Sequence, residues 1–299
     1  MAVTPQAPAT RTLLPTGANL QLHRLALRFA CWRRLSAFIL LWLQRDQTAL
    51  RARVPFLFLE FDRGRNWEAQ PGVFLALDWP LAELEPALRQ NAFAVPGFQF
   101  ILRLLSLLGR RATAEEASQL ARVWQELPEG GVWAHAGVLT SRPAAGHRVS
   151  LLLPASAAPG YLQRVAPGAN TAAIAALIER YARVTCFGSG AQRAQLDMDV
   201  AHTVSPRIGL TLLPPAAGDW LDLLAALVRD GLCHQRCAEA AQHWVHQPLG
   251  DDPDDVHVGR PYLSHLKVVV HGNHPLTAKL YLGARSPRSG QNSPDTSPA

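Results

Sequence analysis

Lysine occurs at only two positions of this chain, Lys267 and Lys279, although Lys and Arg together number 29. Both fall within the stretch 262–283, which reads as two β-strands around a turn of Gly272, Asn273 and His274. Leu266, Val268 and Val270 alternate with polar residues on the way out, as do Ala278, Leu280 and Leu282 on the return. Side chains alternate faces with a period of two. Matching the two apolar faces across a three-residue loop therefore sets Lys267 opposite Lys279, and His265 opposite Tyr281, on the other face. Opposed like charges destabilise a strand pair unless water, a carboxylate or a bound anion lies between them. The chemistry implied is anion binding; the plainer alternative is an amphipathic hairpin with a solvated outer face.

The same construction recurs upstream. In the hairpin formed by 194–200 and 207–213, Leu196, Met198 and Val200 share a face with Ile208, Leu210 and Leu212, leaving Gln195, Asp197, Asp199, Arg207 and Thr211 opposite. In a hairpin of 56–62 and 72–78, Glu60 and Asp62 fall opposite Leu57, Leu59 and Phe61. A fourth hairpin, 132–141 with 147–153, follows Gly130 and Gly131 and carries His135. Between the hairpins the periodicity gives helices at about 20–48, 80–91, 96–109, 113–127, 158–165, 170–184, 218–230 and 234–246. Thr113 and Glu116 are spaced as a capping box.

The expected fold class is α+β: repeated β-hairpin and helix units whose antiparallel sheet closes into a barrel with helices outside. Hairpins alternating with helices argue against a parallel Rossmann-type sheet. Residues 1–18 and 285–299 read as disordered ends and 19–284 as one domain of four hairpin–helix repeats. The helices need an apolar surface to cover and the hairpins offer one. The polar faces then point into a lumen where Glu60, Asp62, His135, Asp197, Asp199, Arg207, Lys267, Lys279 and Tyr281 converge, a setting suited to a diphosphate.

On these residues the chain resembles the ABBA or PT-barrel aromatic prenyltransferases, whose αββα repeats form an antiparallel barrel with helices outside. The likeness rests on hairpin and helix order over about 20–284, on Lys279 and Tyr281 as Lys-x-Tyr, on Arg207 and on Glu60. It implies that Arg207, Lys267, Lys279 and Tyr281 bind an allylic diphosphate, that Glu60 orients and deprotonates the acceptor, and that Trp133 or Trp67 shields the allylic cation. The chain departs from the family in having four hairpins for five, and Gly209 and Thr211 where further Lys and Tyr ligands would stand. The activity implied is transfer of a prenyl group from an allylic diphosphate to an aromatic or peptide acceptor. The alternative is a non-catalytic protein that binds a peptide or assists maturation in a biosynthetic pathway.

Other constellations favour structural roles. Cys233, His234, Cys237, His243 and His246 lack a Cys-x-x-Cys knuckle and read as a helix with ordinary surface histidines, so no metal ligand is assigned. Asp251, Asp252, Asp254 and Asp255 surround Pro253, so they read as a solvated linker, with loose Mg2+ binding as the alternative. Gly188, Ser189 and Gly190 do not form a nucleophile elbow, and no nucleotide-binding glycine motif occurs. The net charge of +6 comes without a dense basic stripe, which argues against a nucleic-acid partner. The longest apolar run near the start, 35–43, is too short for a membrane span and no signal-peptide pattern precedes it. Four scattered cysteines suit a reducing cytoplasm, and the oligomeric state is left open.

Overall fold

The computed structural model describes residues 2–3, 30–44, 48–60, 72–77, 91–139, 146–185, 193–213, 220–246 and 260–285. Its strands are β1 (Ala2–Val3), β2 (Phe56–Glu60), β3 (Gly72–Ala76), β4 (Val132–Val138), β5 (His147–Pro154), β6 (Arg193–Val200), β7 (Val204–Leu212), β8 (Arg260–His271) and β9 (Thr277–Arg285). All pair antiparallel in sequence order. The eight longer strands form a curled half-barrel, and the two residues of β1 extend its edge by pairing with β2.

Eight helices are described: α1 (Ala30–Leu43), α2 (Thr48–Arg53), α3 (Pro96–Leu107), α4 (Ala114–Gln125), α5 (Ala158–Val165), α6 (Thr171–Tyr181), α7 (Trp220–Arg229) and α8 (Gln235–His246). Of the helix expected over 20–48, α1 covers 30–43, residues 20–29 and 45–47 lie outside the described residues, and the short α2 begins at Thr48. The helix expected over 80–91, Asp62, Trp67, the Gly188–Ser189–Gly190 stretch and the aspartate run 251–255 lie outside the described residues. No helix among the described residues is long and apolar enough to cross a membrane.

One face of the sheet is apolar strand after strand. Leu57 registers with Leu75, Leu75 with Ala136, Ala136 with Val149, Val149 with Met198, Met198 with Ile208 and Ile208 with Val270. These residues join Trp32, Trp42, Phe98, Trp124, Tyr161, Tyr181, Leu223 and Leu227 of the helices in one core. The aromatic rings of Phe98, Trp124 and Trp133 meet there at centroid distances of 5.7–6.4 Å. Burial of this surface is what holds helices against strands.

Helix α4 starts where the spacing predicts. Thr113 Oγ1 accepts from the Glu116 amide at 3.2 Å, and Glu116 Oε2 accepts from the Thr113 amide at 3.0 Å. Thr113→Ala removes half of this reciprocal cap. It should lower unfolding stability by about 1 kcal/mol in urea denaturation; no change would mean that Arg110, which donates to Glu116 Oε1 at 2.8 Å, anchors the turn alone.

Candidate active site on the concave sheet face

The face away from the helices carries the polar residues, and its register is the one alternation predicts. Lys267 pairs with Lys279 and His265 with Tyr281, while Asp197 pairs with Gly209 and Gln195 with Thr211. The two ends of this face approach one another. Arg148 on β5 brings Nη1 to 3.6 Å from Glu60 Oε2 on β2, three strands away. That the face is concave follows from Tyr281 of β9 meeting Glu60 of β2, Tyr281 Oη donating to Glu60 Oε1 over a long 3.4 Å, because seven strand spacings on a flat sheet would hold them roughly 33 Å apart.

Two ion-pair groups occupy the surface. Arg148 donates Nε to Asp199 Oδ1 at 2.7 Å and Nη2 to Asp199 Oδ2 at 3.0 Å, a bidentate fork. Its guanidinium also lies over the Phe74 ring, 5.9 Å from the centroid. Burial disfavours the Arg148 charge, but the hydrogen bonds and charge of Asp199, with Glu60 and Asp197, more than reverse this and raise its pKa. In the second group Lys267 Nζ lies 3.1 Å from Asp197 Oδ2, and Thr211 Oγ1 donates to the same oxygen at 3.0 Å. Lys267 also sits 4.8 Å from the centroid of the Tyr281 ring, in a cation–π contact.

Asp197 and Lys267 belong to strands separated by β7, and Gly209 makes their meeting feasible. A Cβ at Gly209 would stand 2.9 Å from Lys267 Cδ and 3.3 Å from Asp197 Cβ. The missing side chain leaves a notch through which the lysine crosses. Burial opposes ionisation of both partners, yet each overcomes it. Lys267 and Arg148 hold the Asp197 carboxyl below its usual range, and Asp197, then Tyr281, raise the Lys267 ammonium.

The imidazoles of this face are neutral. Burial, reinforced by the Lys267 charge, pushes His265 down to about 3; burial also lowers His135, against the pull of Asp197. His265 stacks on Tyr281 with centroids 4.1 Å apart, and Ser264 Oγ lies 3.1 Å from His265 Nδ1. His135 meets the Phe58 ring edge-on at 5.7 Å. Burial, ahead of the opposing Lys267 charge, raises the Tyr281 phenol.

Of the residues expected to act together, Glu60, Lys267 and Tyr281 are brought into one connected group, with Lys279 in register beside it. Arg207 lies within β7 opposite His271, the last residue of β8, and among the described residues its guanidinium takes part in no ion pair with the cluster. Trp133 does not wall this surface: it registers with Leu151 on the helix-facing side and is buried against Phe98 and Trp124. Phe58, Phe74 and Tyr281 supply the aromatic surface instead. Cys233 is buried and Cys237 exposed, both as free thiols, and no group of three metal-ligating side chains occurs among the described residues.

Arg148 was absent from the residues singled out by sequence, although its signal was present. Arg148 and Ser150 alternate with Val149, Leu151 and Leu153, the pattern used for the other hairpins. A bulge between Trp133 and His135 on the partner strand hides that parity. Comparison with protein-family models, with curated proteins and with solved structures finds no match.

Proposed function

We propose that the concave face is the active surface of an enzyme that transfers a prenyl group from an allylic diphosphate to an aromatic or peptide acceptor. The observation that carries this reading is the linkage of a carboxylate, a phenol and an ammonium on one enclosed polar surface: Glu60 to Tyr281, and Tyr281 to Lys267. Lys279 stands beside Lys267 in register, so the two lysines offer a diphosphate two cations from adjacent strands. Closure of the half-barrel around the ligand belongs to the same reading. It is supported by the contact between Glu60 of β2 and Tyr281 of β9, and by β1 lying close to both strands.

In the proposed reaction the bond from the allylic carbon to the diphosphate oxygen breaks, and its electron pair leaves with the oxygen. Lys267, Lys279 and Tyr281 stabilise the charge that develops there. The rings of Tyr281, Phe58 and Phe74 face the allylic cation. An electron-rich acceptor carbon forms the new bond, and its proton passes to Glu60, which Arg148 and Tyr281 hold in place. Arg207, at the rim, would meet the diphosphate only through a ligand that extends along β7.

One observation favours the second reading, a binding protein without catalysis. Arg148 and Lys267 are each already matched by a carboxylate, which limits the charge offered to an anion. Dimethylallyl and geranyl diphosphate, each with and without Mg2+, separate the two. On the enzyme reading they raise the melting temperature, Lys279→Ala weakens binding about tenfold, and Glu60→Gln keeps binding while abolishing transfer to phenolic acceptors. No thermal shift with either diphosphate removes the enzyme reading; binding without transfer by the wild type leaves the binding-protein reading.

A further inference from the structure

The anion reading meets an obstacle in its own site, because the best-placed ammonium is already engaged. Lys267 reaches away from its register partner Lys279, across β7, to a carboxylate on β6. We propose that Asp197 is the resident counter-ion of the anion site, holding Lys267 in the Gly209 notch until an anionic ligand draws the ammonium out. This inference rests on the diphosphate reading above and adds how a charged Lys267 is kept stable beside Lys279.

Four features bear on it. Both side chains are about nine-tenths buried, at 9% relative exposure each, so neither charge can rely on water for compensation. Asp197 Oδ2 accepts from Lys267 and from Thr211 together. Thr211 therefore fixes the carboxylate whether or not the lysine stays. The notch is a gap in the side-chain layer at one position, Gly209, and it is filled by the methylenes of Lys267, whose Cδ and Cγ would lie 2.9 and 3.2 Å from an added Cβ. Finally, Lys267 is long and unbranched, and its ammonium already touches the Tyr281 ring that belongs to the proposed ligand site. Rotation about its own stem would carry the charge from Asp197 toward Lys279 without moving a strand.

The counter-ion therefore competes with the ligand. A diphosphate gains the Lys267 charge only by displacing Asp197, and Asp197 lowers affinity while protecting the unoccupied fold from like-charge repulsion. Asp197 is on this account a positioning residue with a distinctive sign: removing its charge should strengthen binding. A merely structural aspartate would weaken binding when replaced.

The test is calorimetric titration of the full chain with inorganic pyrophosphate at fixed ionic strength and pH 7.5, using wild type, Asp197→Asn, Lys267→Met and the double variant. Asp197→Asn keeps the shape and an acceptor for Thr211, and should bind pyrophosphate about tenfold more tightly. Lys267→Met should bind about tenfold more weakly, and the double variant should match Lys267→Met, because without the lysine the counter-ion has nothing to withhold. Gly209→Ala supplies a second route: it crowds Lys267 out of the notch without altering any charge and should also tighten binding, by a smaller factor. Binding by the wild type that neither Asp197→Asn nor Gly209→Ala strengthens overturns the counter-ion while leaving the anion site. Absence of binding in every variant removes the anion site itself, and the counter-ion with it.

Discussion

Replacing Arg148 by methionine should lower the unfolding free energy by about 3–5 kcal/mol, a loss typical of breaking a buried pair from one side. Arg148 and Asp199 have side-chain exposures of only 8% and 12%, and the fork between them uses both carboxylate oxygens. Methionine keeps an unbranched apolar stem but removes the guanidinium, with its place over Phe74, so the Asp199 carboxyl is left enclosed without its partner. Glu60 loses its cation at the same time. Most of the loss comes from the orphaned carboxylates rather than from the worth of the pair. Adding Asp199→Asn to Arg148→Met should therefore restore a large part of the stability, a non-additivity that a double-mutant cycle in urea measures directly. A loss below about 1 kcal/mol for Arg148→Met would place Asp199 in contact with water and remove the enclosed character of this face.

The second large effect is expected on acidification. His135, His147 and His265 are all held neutral by the fold. Burial is the leading cause in each case, opposed by Asp197 at His135 and by Glu116 at His147, and assisted by Lys267 at His265. His147 is fully buried, and its Nε2 lies 3.4 Å from Glu116 Oε2 without a hydrogen bond to either ring nitrogen. With folded values below the ordinary 6.5, the unfolded chain takes up protons first as the pH falls. Stability is therefore present in full above about pH 6.5 and declines below it, for His265 all the way to about 3. Each histidine that stays neutral contributes a slope of about 1.4 kcal/mol per pH unit.

Urea midpoints taken between pH 7.5 and 5 should accordingly fall by an amount equivalent to at least about 2 kcal/mol, the share of His265 alone, with His135 and His147 acting in the same direction. His265→Gln should make the decline shallower by up to one histidine's share. Asp197 acts in the same direction but later: its carboxyl is held low, so its contribution disappears only below the usual carboxylate range. A stability that stays level from pH 7.5 to 5 would contradict the assignment of three neutral imidazoles. The decline also bears on the proposed chemistry, because protonating His265 would place a third cation beside Lys267 and against Tyr281.

Much of the architecture was written in local pattern. Alternation in 194–213 and 262–283 fixed which residues share a face, and matching the apolar faces across a three-residue loop put Lys267 against Lys279 and His265 against Tyr281. Period and capping placed α4 to within two residues of its bounds, and α5 at them. These features depend on contacts between near neighbours, which a single strand or helix turn encodes by itself.

Two of the three register shifts among the described residues reverse the facing that alternation assigns. Trp133 and His135 have the same parity yet face opposite sides, as do Leu263 and His265, because each pair brackets a register shift. A third shift, between Met198 and Val200, leaves Asp199 without a partner on β7 but changes no facing on β6: Met198 and Val200 both lie in the core, and Asp199 registers with Arg148 on β5. A bulge inserts one residue and reverses the parity beyond it, re-aiming a side chain that alternation would assign to the other face. The three bulges thus adjoin His135, His265 and Asp199, residues of the candidate site.

The sequence by itself determined the order of hairpins and helices, the two-faced character of each strand pair, and the opposition of the two lysines. Only the tertiary structure decided who partners whom across the concave face: Arg148 with Asp199 and Glu60, and Lys267 with Asp197 through the space left by Gly209. The physical reason is distance. Facing is set by a two-residue period within one strand, whereas pairing depends on which strands adjoin: Arg148 and Asp199 are register partners on neighbouring strands, Lys267 reaches Asp197 two strands away over Gly209, and Arg148 meets Glu60 three strands away on a sheet that curls.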